Sequence, residues 1–247
     1  MTGQTFPAAL PHGEIEEVFP NVFFVTGTIG MAGPMPLQFS RNMTIVREGE
    51  RLVIINSIRL DDEGLRKLDT LGRVTDVIRI AGFHGMDDPF YKDRYGAKVW
   101  VIRGQRYFKG FAVNSTPYFE PDESMDPTTK LPLAGAKLFV FDSVKIPEGI
   151  LVLDREGGIA ITGDCLQHWH TTDRFFSFGA KLMMRLMGFI KPYNVGPGWY
   201  KNTHPSDDEM RKILDLPFEH VLPAHGAVVK GKARDHYRPA IERVLRH

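Results

Sequence analysis

The sequence holds a single cysteine, Cys165, which excludes an intramolecular disulfide and any cysteine-rich zinc module. No stretch approaches about 18 uninterrupted apolar residues, so no membrane span is expected. Excess charge of one sign is also missing. The 31 Lys and Arg residues nearly cancel the 30 Asp and Glu residues, which leaves no electrostatic reason to expect a nucleic-acid partner. The opening residues carry no basic n-region followed by an apolar h-region, so no signal peptide is expected. Together with the lone thiol, that points to a cytoplasmic protein. Internal repeats and low-complexity tracts are absent too.

What is present is the profile of a globular chain. At 247 residues and 43% hydrophobic content it can bury a sizeable core without staples, and one domain over 1–247 is expected. Basic residues gather late, in Lys230–Arg238 and Arg243–His247, as on the solvated face of a C-terminal helix.

Period-two segments predict strands over Val22–Thr26, Asn42–Arg47 and Leu52–Asn56, the last two joined by a turn at Glu48-Gly49-Glu50. Leu65, Leu68 and Leu71 lie at helical spacing behind Asp61-Asp62-Glu63, acids that suit a helix N-terminus, and Gly72 can stop that helix. A buried strand over Asp76–Ala81, a short helix over Pro89–Tyr95 and a strand over Ala97–Ile102 follow. Residues 103–135 carry four prolines and no clear period, the character of a long excursion. Strands resume at Lys137–Phe141, Ile150–Leu153 and Gly158–Thr162, with a second hairpin turn at Arg155-Glu156-Gly157. Phe175–Ile190 reads as a Met- and Phe-rich helix, and Pro192–Trp199 as a rigid loop. Ser206 to Glu209 forms a capping box for a helix through Leu214. His220–Leu222 is the last strand and Ala233–Leu245 the last helix. Two sheets packed together with helices outside would account for this order.

Three strand ends stop at residues suited to metal ligation. His84-Gly85-Met86-Asp87-Asp88-Pro89 follows strand 76–81, Gly163-Asp164 follows Gly158–Thr162, and Pro223-Ala224-His225-Gly226 follows strand 220–222. Imidazole and carboxylate suit zinc, iron or manganese, and ligands at strand ends are held more firmly than ligands on free loops. His168 and His170 flank Trp169 just beyond Asp164, where an extended His-x-His places both imidazoles on one face. Cys165 is expected to be buried and inert.

In this order, across nearly the whole chain, the sequence resembles the metallo-β-lactamase superfamily. Phe19–Thr26 with its hairpin, Gly163-Asp164 and Pro223-Ala224-His225-Gly226 occur in the family's sequence, and His84 to Pro89 falls where the signature His-x-His-x-Asp-His belongs. The resemblance implies a four-layer αββα sandwich. It gives His84 the first ligand position, Asp88 the aspartate position, Asp164 the bridging carboxylate and His225 the final histidine. Met86 and Pro89 replace two signature histidines. Lys145 to Gly149 lacks the histidine of a Gly-His-Thr-like turn, and Asn56-Ser57 replaces an Asp-x-Gly.

With three ordinary ligands missing, one divalent ion (zinc, manganese or iron) or none is expected rather than the usual pair. Asp88, Asp164 and His225 would ligate it, with His84 a fourth ligand or the proton-transfer residue and His168 and His170 as replacement ligands. The function implied is metal-dependent hydrolysis of a small ester, lactone, amide or thioester. The alternative is a non-catalytic binding or scaffolding module that has lost its metal. A small-molecule substrate is the expected partner, and a homodimer is allowed. The apolar face of 174–190 reads as a cover over the same molecule, or more remotely as an oligomer or lipid contact.

Overall fold

A computed structural model describes residues 6–31, 37–108 and 116–246, so residues 109–115 of the expected excursion lie outside the described residues. The first half lays down β1 (Glu16–Phe19), β2 (Val22–Met31), β3 (Leu37–Glu48), β4 (Arg51–Ile55), α1 (Asp62–Leu71), β5 (Arg73–Arg79), α2 (Asp88–Tyr95), β6 (Lys98–Ile102) and β7 (Glu123–Met125). Their strands form one seven-stranded sheet in chain order. It is antiparallel from β1 to β4, then parallel from β4 to β7. The switch follows from the connections: hairpins join the first four strands, α1 and α2 carry the chain back to β5 and β6, and the excursion after β6 carries it back to β7.

The second half contributes β8 (Lys137–Val140), β9 (Gly149–Leu153), β10 (Ile159–Thr162), β11 (Leu166–Gln167), α3 (Phe178–Leu186), β12 (Asn194–Val195), α4 (Pro197–Thr203), α5 (Asp207–Lys212), β13 (His220–Pro223) and α6 (Ala233–Val244). A four-stranded sheet has the order β13-β10-β9-β8, and β11 pairs with β12.

Alternation along the strands produces the layers. Val22, Phe24, Val46, Val53, Ile55 and Ile78 of the first sheet face Leu151, Leu153, Ile159, Ile161 and Leu222 of the second in one buried cluster. The intervening residues Phe23, Val25, Ile45, Ile54 and Val77 pack outward against Leu65 and Leu68 of α1 and Phe90 and Tyr91 of α2. On the other side Val152, Ala160 and Val221 pack against Trp199, Met210, Tyr237 and Ile241 of α4, α5 and α6. Helices, sheet, sheet, helices: this is the αββα sandwich.

Several elements differ from the sequence reading. β2 and β3 run to Met31 and back from Leu37, longer than expected, because a polar stretch in β3 (Ser40, Arg41, Asn42) is buried rather than solvated. The Met-rich helix occupies only Phe178–Leu186. Pro192–Trp199 is not a loop throughout: Asn194–Val195 pairs with β11, and Pro197 opens α4, where its missing N–H costs nothing. Inside the excursion Glu123–Met125 adds an edge strand, parallel to β6. Of the expected capping box only the first half forms: Ser206 Oγ accepts from the Glu209 amide, whereas the Ser206 amide donates to Ser143 Oγ and the Glu209 carboxylate accepts from the Asp142 and Ser143 amides.

Candidate metal centre

Strand order decides which side chains meet. β10 and β13 are parallel neighbours with Thr162 opposite Pro223, so Gly163-Asp164 and Ala224-His225 leave the sheet side by side. The Ala224 amide donates to Thr162 O over 3.0 Å and keeps the two exits together. His84 arrives from the other sheet, beyond β5. An isolated bridge between Ala81 and Glu148, and a 2.9 Å bond from the Gly149 amide to Ile80 O, pin that loop to the second sheet.

The result is a compact trio. Ligand atoms of His84, Asp164 and His225 all lie within 4.8 Å of one another. His84 Nε2 is 3.3 Å from Asp164 Oδ2, and His225 Nε2 is 3.1 Å from Asp164 Oδ1. The imidazoles are buried, and the 13% exposure of the Asp164 side chain is where the trio reaches solvent.

β3 supports this trio through three consecutive polar residues. The Ser40 carbonyl lies 2.9 Å from His225 Nδ1. A carbonyl only accepts, so Nδ1 carries the hydrogen, and in the neutral ring Nε2 presents its lone pair towards Asp164. Two lone pairs facing across 3.1 Å repel unless a cation or proton lies between them. Asn42 Nδ2 donates to Pro223 O (2.9 Å) and Gly226 O (2.7 Å), clamping the histidine loop from both sides. Phe39 and Trp169 pack their rings against His225, with centroids 5.9 and 5.1 Å away. Arg41 pairs with Asp87.

Protonation states suit ligation. Burial pushes the His84 imidazole below its usual range against the pull of Asp164, so it is neutral. For Asp164 burial acts upward, but the two imidazoles, His84 foremost, outweigh it and hold the carboxyl well below the usual range. A neutral imidazole and an ionised carboxylate are the forms a divalent ion requires. Tetrahedral ligation with bonds of about 2.0–2.1 Å puts neighbouring ligand atoms about 3.3 Å apart, close to the two His–Asp spacings of 3.3 and 3.1 Å, made through the two oxygens of Asp164. The donor set therefore fits one ion. One feature of the usual support is missing: His84 Nδ1 is buried with no partner among the described residues.

Asp88 is not in this group. Ser57 Oγ donates to Asp88 Oδ1 over 2.5 Å, and the Tyr107 hydroxyl donates to Oδ2. Burial raises its carboxyl to about 6, although both hydroxyls and Arg79 pull the other way. Gly85 is needed beside it: φ is +89°, and a Cβ there would lie 2.6 Å from Asp88 Oδ2. His168 and His170 also sit outside the trio. His168 Nδ1 accepts from the Tyr193 amide over 3.0 Å, and its backbone N–H and C=O bond His225 O and the Ala227 amide. Burial foremost, with His170 and His236 nearby, lowers its imidazole to about 4. His170 is exposed, its ring 4.4 Å from that of His168. Met86, in a signature histidine position, is half exposed. Cys165 is buried, as expected, and its amide donates to Glu148 Oε1 over 2.6 Å.

Ser40, Asn42, Ser57, Tyr107 and Glu148 are the residues that sequence reasoning missed. A run of Ser-Arg-Asn inside an apolar strand was the available signal for the first two. Nothing local marks Tyr107, which lies 19 residues from the carboxylate it holds.

Comparison with known proteins agrees with the architecture. No family model matches the sequence, and no curated protein matches it. Among solved structures, the DIM-1 metallo-β-lactamase superposes with a TM-score of 0.63 at 13% identity, over 95% of this chain and 99% of that one. A metallo-β-lactamase from Pontibacter korlensis gives 0.61 at 12% identity, over 93% and 98%. FIM-1 from Pseudomonas aeruginosa, in its mono-zinc form, gives 0.62 at 11% identity, over 97% and 98%. This chain has the metallo-β-lactamase fold along nearly its whole length.

Proposed function

We propose that the chain is a one-ion metallohydrolase acting on a small ester, lactone, amide or thioester, with His84, Asp164 and His225 as the ligands. The observation that carries this reading is the convergence of ligand atoms of His84, Asp164 and His225 within 4.8 Å, with His225 Nε2 3.1 Å from Asp164 Oδ1 while Ser40 O occupies Nδ1, a geometry that calls for a proton or a metal ion between the two atoms. A divalent ion there supplies Lewis acidity to a substrate carbonyl and makes a bound water more acidic. The chain's own part is to hold His225 in one tautomer through Ser40, to keep Asp164 ionised, and to wall the site with Trp169 and Phe39. A neighbour of the same fold, FIM-1, is described in a mono-zinc form. Asp88 serves here as a bracket between Ser57 and Tyr107 rather than as a ligand.

The bracketed Asp88 also favours a second reading, a binding module whose metal chemistry is lost, because a carboxylate satisfied by two hydroxyls has no need of an ion. Calorimetric titration of chelator-treated protein with zinc, manganese and ferrous ion separates the two. The hydrolase reading expects one ion per chain, loss of binding in Asp164→Asn, and turnover of at least one acyl substrate above the Asp164→Asn background. No binding of any of the three metals would leave the binding module as the function.

A further inference from the structure

Helix α3 presents a second apolar face that is left exposed among the described residues. Its inward residues Ala180 and Met184 pack with Trp169 and Phe176 and against Phe39. On the outer side Phe178 is 85% exposed, Leu182 56% and Leu186 80%, and Met187 at the helix end 57%. Phe178, Leu182 and Leu186 recur every fourth residue, so they form one stripe. The helix is held rigidly behind that stripe. Ser177 caps it, the Ser177 amide donates to Gln38 O over 2.9 Å, and the Gln38 amide returns a 3.2 Å bond to Ser177 Oγ.

Charge identifies the occupant. From Arg174 to Ser206 the chain contains no Asp or Glu, while it carries Arg174, Lys181, Arg185, Lys191 and Lys201. Lys181 and Arg185 border the apolar stripe, and neither joins an ion pair among the described residues. An apolar ridge edged by unpaired cations matches an anionic lipid surface, where the ridge enters the acyl boundary and the cations meet the headgroups.

A second copy of the chain fits less well. Four side chains supply on the order of 500 Å² of apolar area, short of the roughly 800 Å² per partner of a stable interface. A two-fold contact through this ridge would also set Lys181 and Arg185 against their own copies. We infer that α3 docks the protein on anionic membrane surfaces, independently of whether the metal centre is catalytic.

Flotation of the full chain with phosphatidylcholine vesicles, and with vesicles of phosphatidylcholine mixed with phosphatidylserine, tests this. The expected result is binding to the mixed vesicles that weakens with salt. Phe178→Ser, Leu182→Ser and Leu186→Ser combined should cut it by about tenfold or more, and Lys181→Glu with Arg185→Glu should remove the preference for anionic lipid. If the triple variant melts below the parent, the charge-reversal pair carries the test alone. Absence of binding to the mixed vesicles overturns the inference. So does a lipid-free dimer in sedimentation that the triple variant dissolves, since the face would then serve a second copy.

Discussion

Replacing Asp88 by Asn probes the bracket and the ligand roles together. The folded protein holds this carboxyl at about 6 through burial, against 3.8 for an aspartate free in water. The folded state therefore keeps a proton that the unfolded chain has already released. Stability contributed at this residue is full below about pH 4, falls as pH rises through about 6, and stays low above. A shift of about two units corresponds to about 3 kcal/mol between those limits. Asn removes the titration, but its amide nitrogen turns one hydroxyl of Ser57 or Tyr107 from donor to acceptor, at about 1–2 kcal/mol. Asp88→Asn should thus be equal to or slightly less stable than the parent near about pH 4.5, where about 1 kcal/mol is already lost, and more stable near about pH 8, so the difference changes by about 2 kcal/mol. Urea unfolding across that range, parent and variant side by side, reads the difference directly, and other titrating groups cancel. A difference constant with pH would refute the bracketed, proton-holding carboxyl. Loss of ion binding in the same variant would restore Asp88 to the ligands.

Two further outcomes are expected. Free zinc at about one hundred times its dissociation constant adds about 2.7 kcal/mol. At about 2.1 cal/mol/K per residue this is a rise of about 5 °C in the melting midpoint, retained by His170→Ala and absent in His225→Ala, as scanning calorimetry would read it. Gly226→Ala should lower the midpoint of the metal-free protein by roughly 6 °C or more, from a loss of about 3 kcal/mol. Its φ is +95° and a Cβ there would lie 2.1 Å from His168 O, so the His225 loop must separate from the 168 strand, and a midpoint within about 1 °C of the parent would contradict that geometry.

The sequence by itself determined the layers and three strand-end residues of the candidate site. Alternation along Val22–Val25, Leu52–Ile55 and Leu151–Leu153 requires strands with two buried faces, and two sheets between helices supply them. Asp164 and His225 each lie two residues past a strand and His84 five past one, so local pattern plus strand order was enough to place them at one end of the sandwich. Spacing alone could not decide Asp88, His168 and His170. Asp88 lies four residues from His84, yet its environment is made by Ser57, 31 residues away, and Tyr107, 19 residues away. His168 lies close to Asp164 in the chain, but the Tyr193 amide claims its Nδ1. A side chain's role depends on which donors and acceptors surround it once water is excluded. Those partners come from distant strands and loops, so only the tertiary structure decided which carboxylate sits between two imidazoles and which is held by hydroxyls.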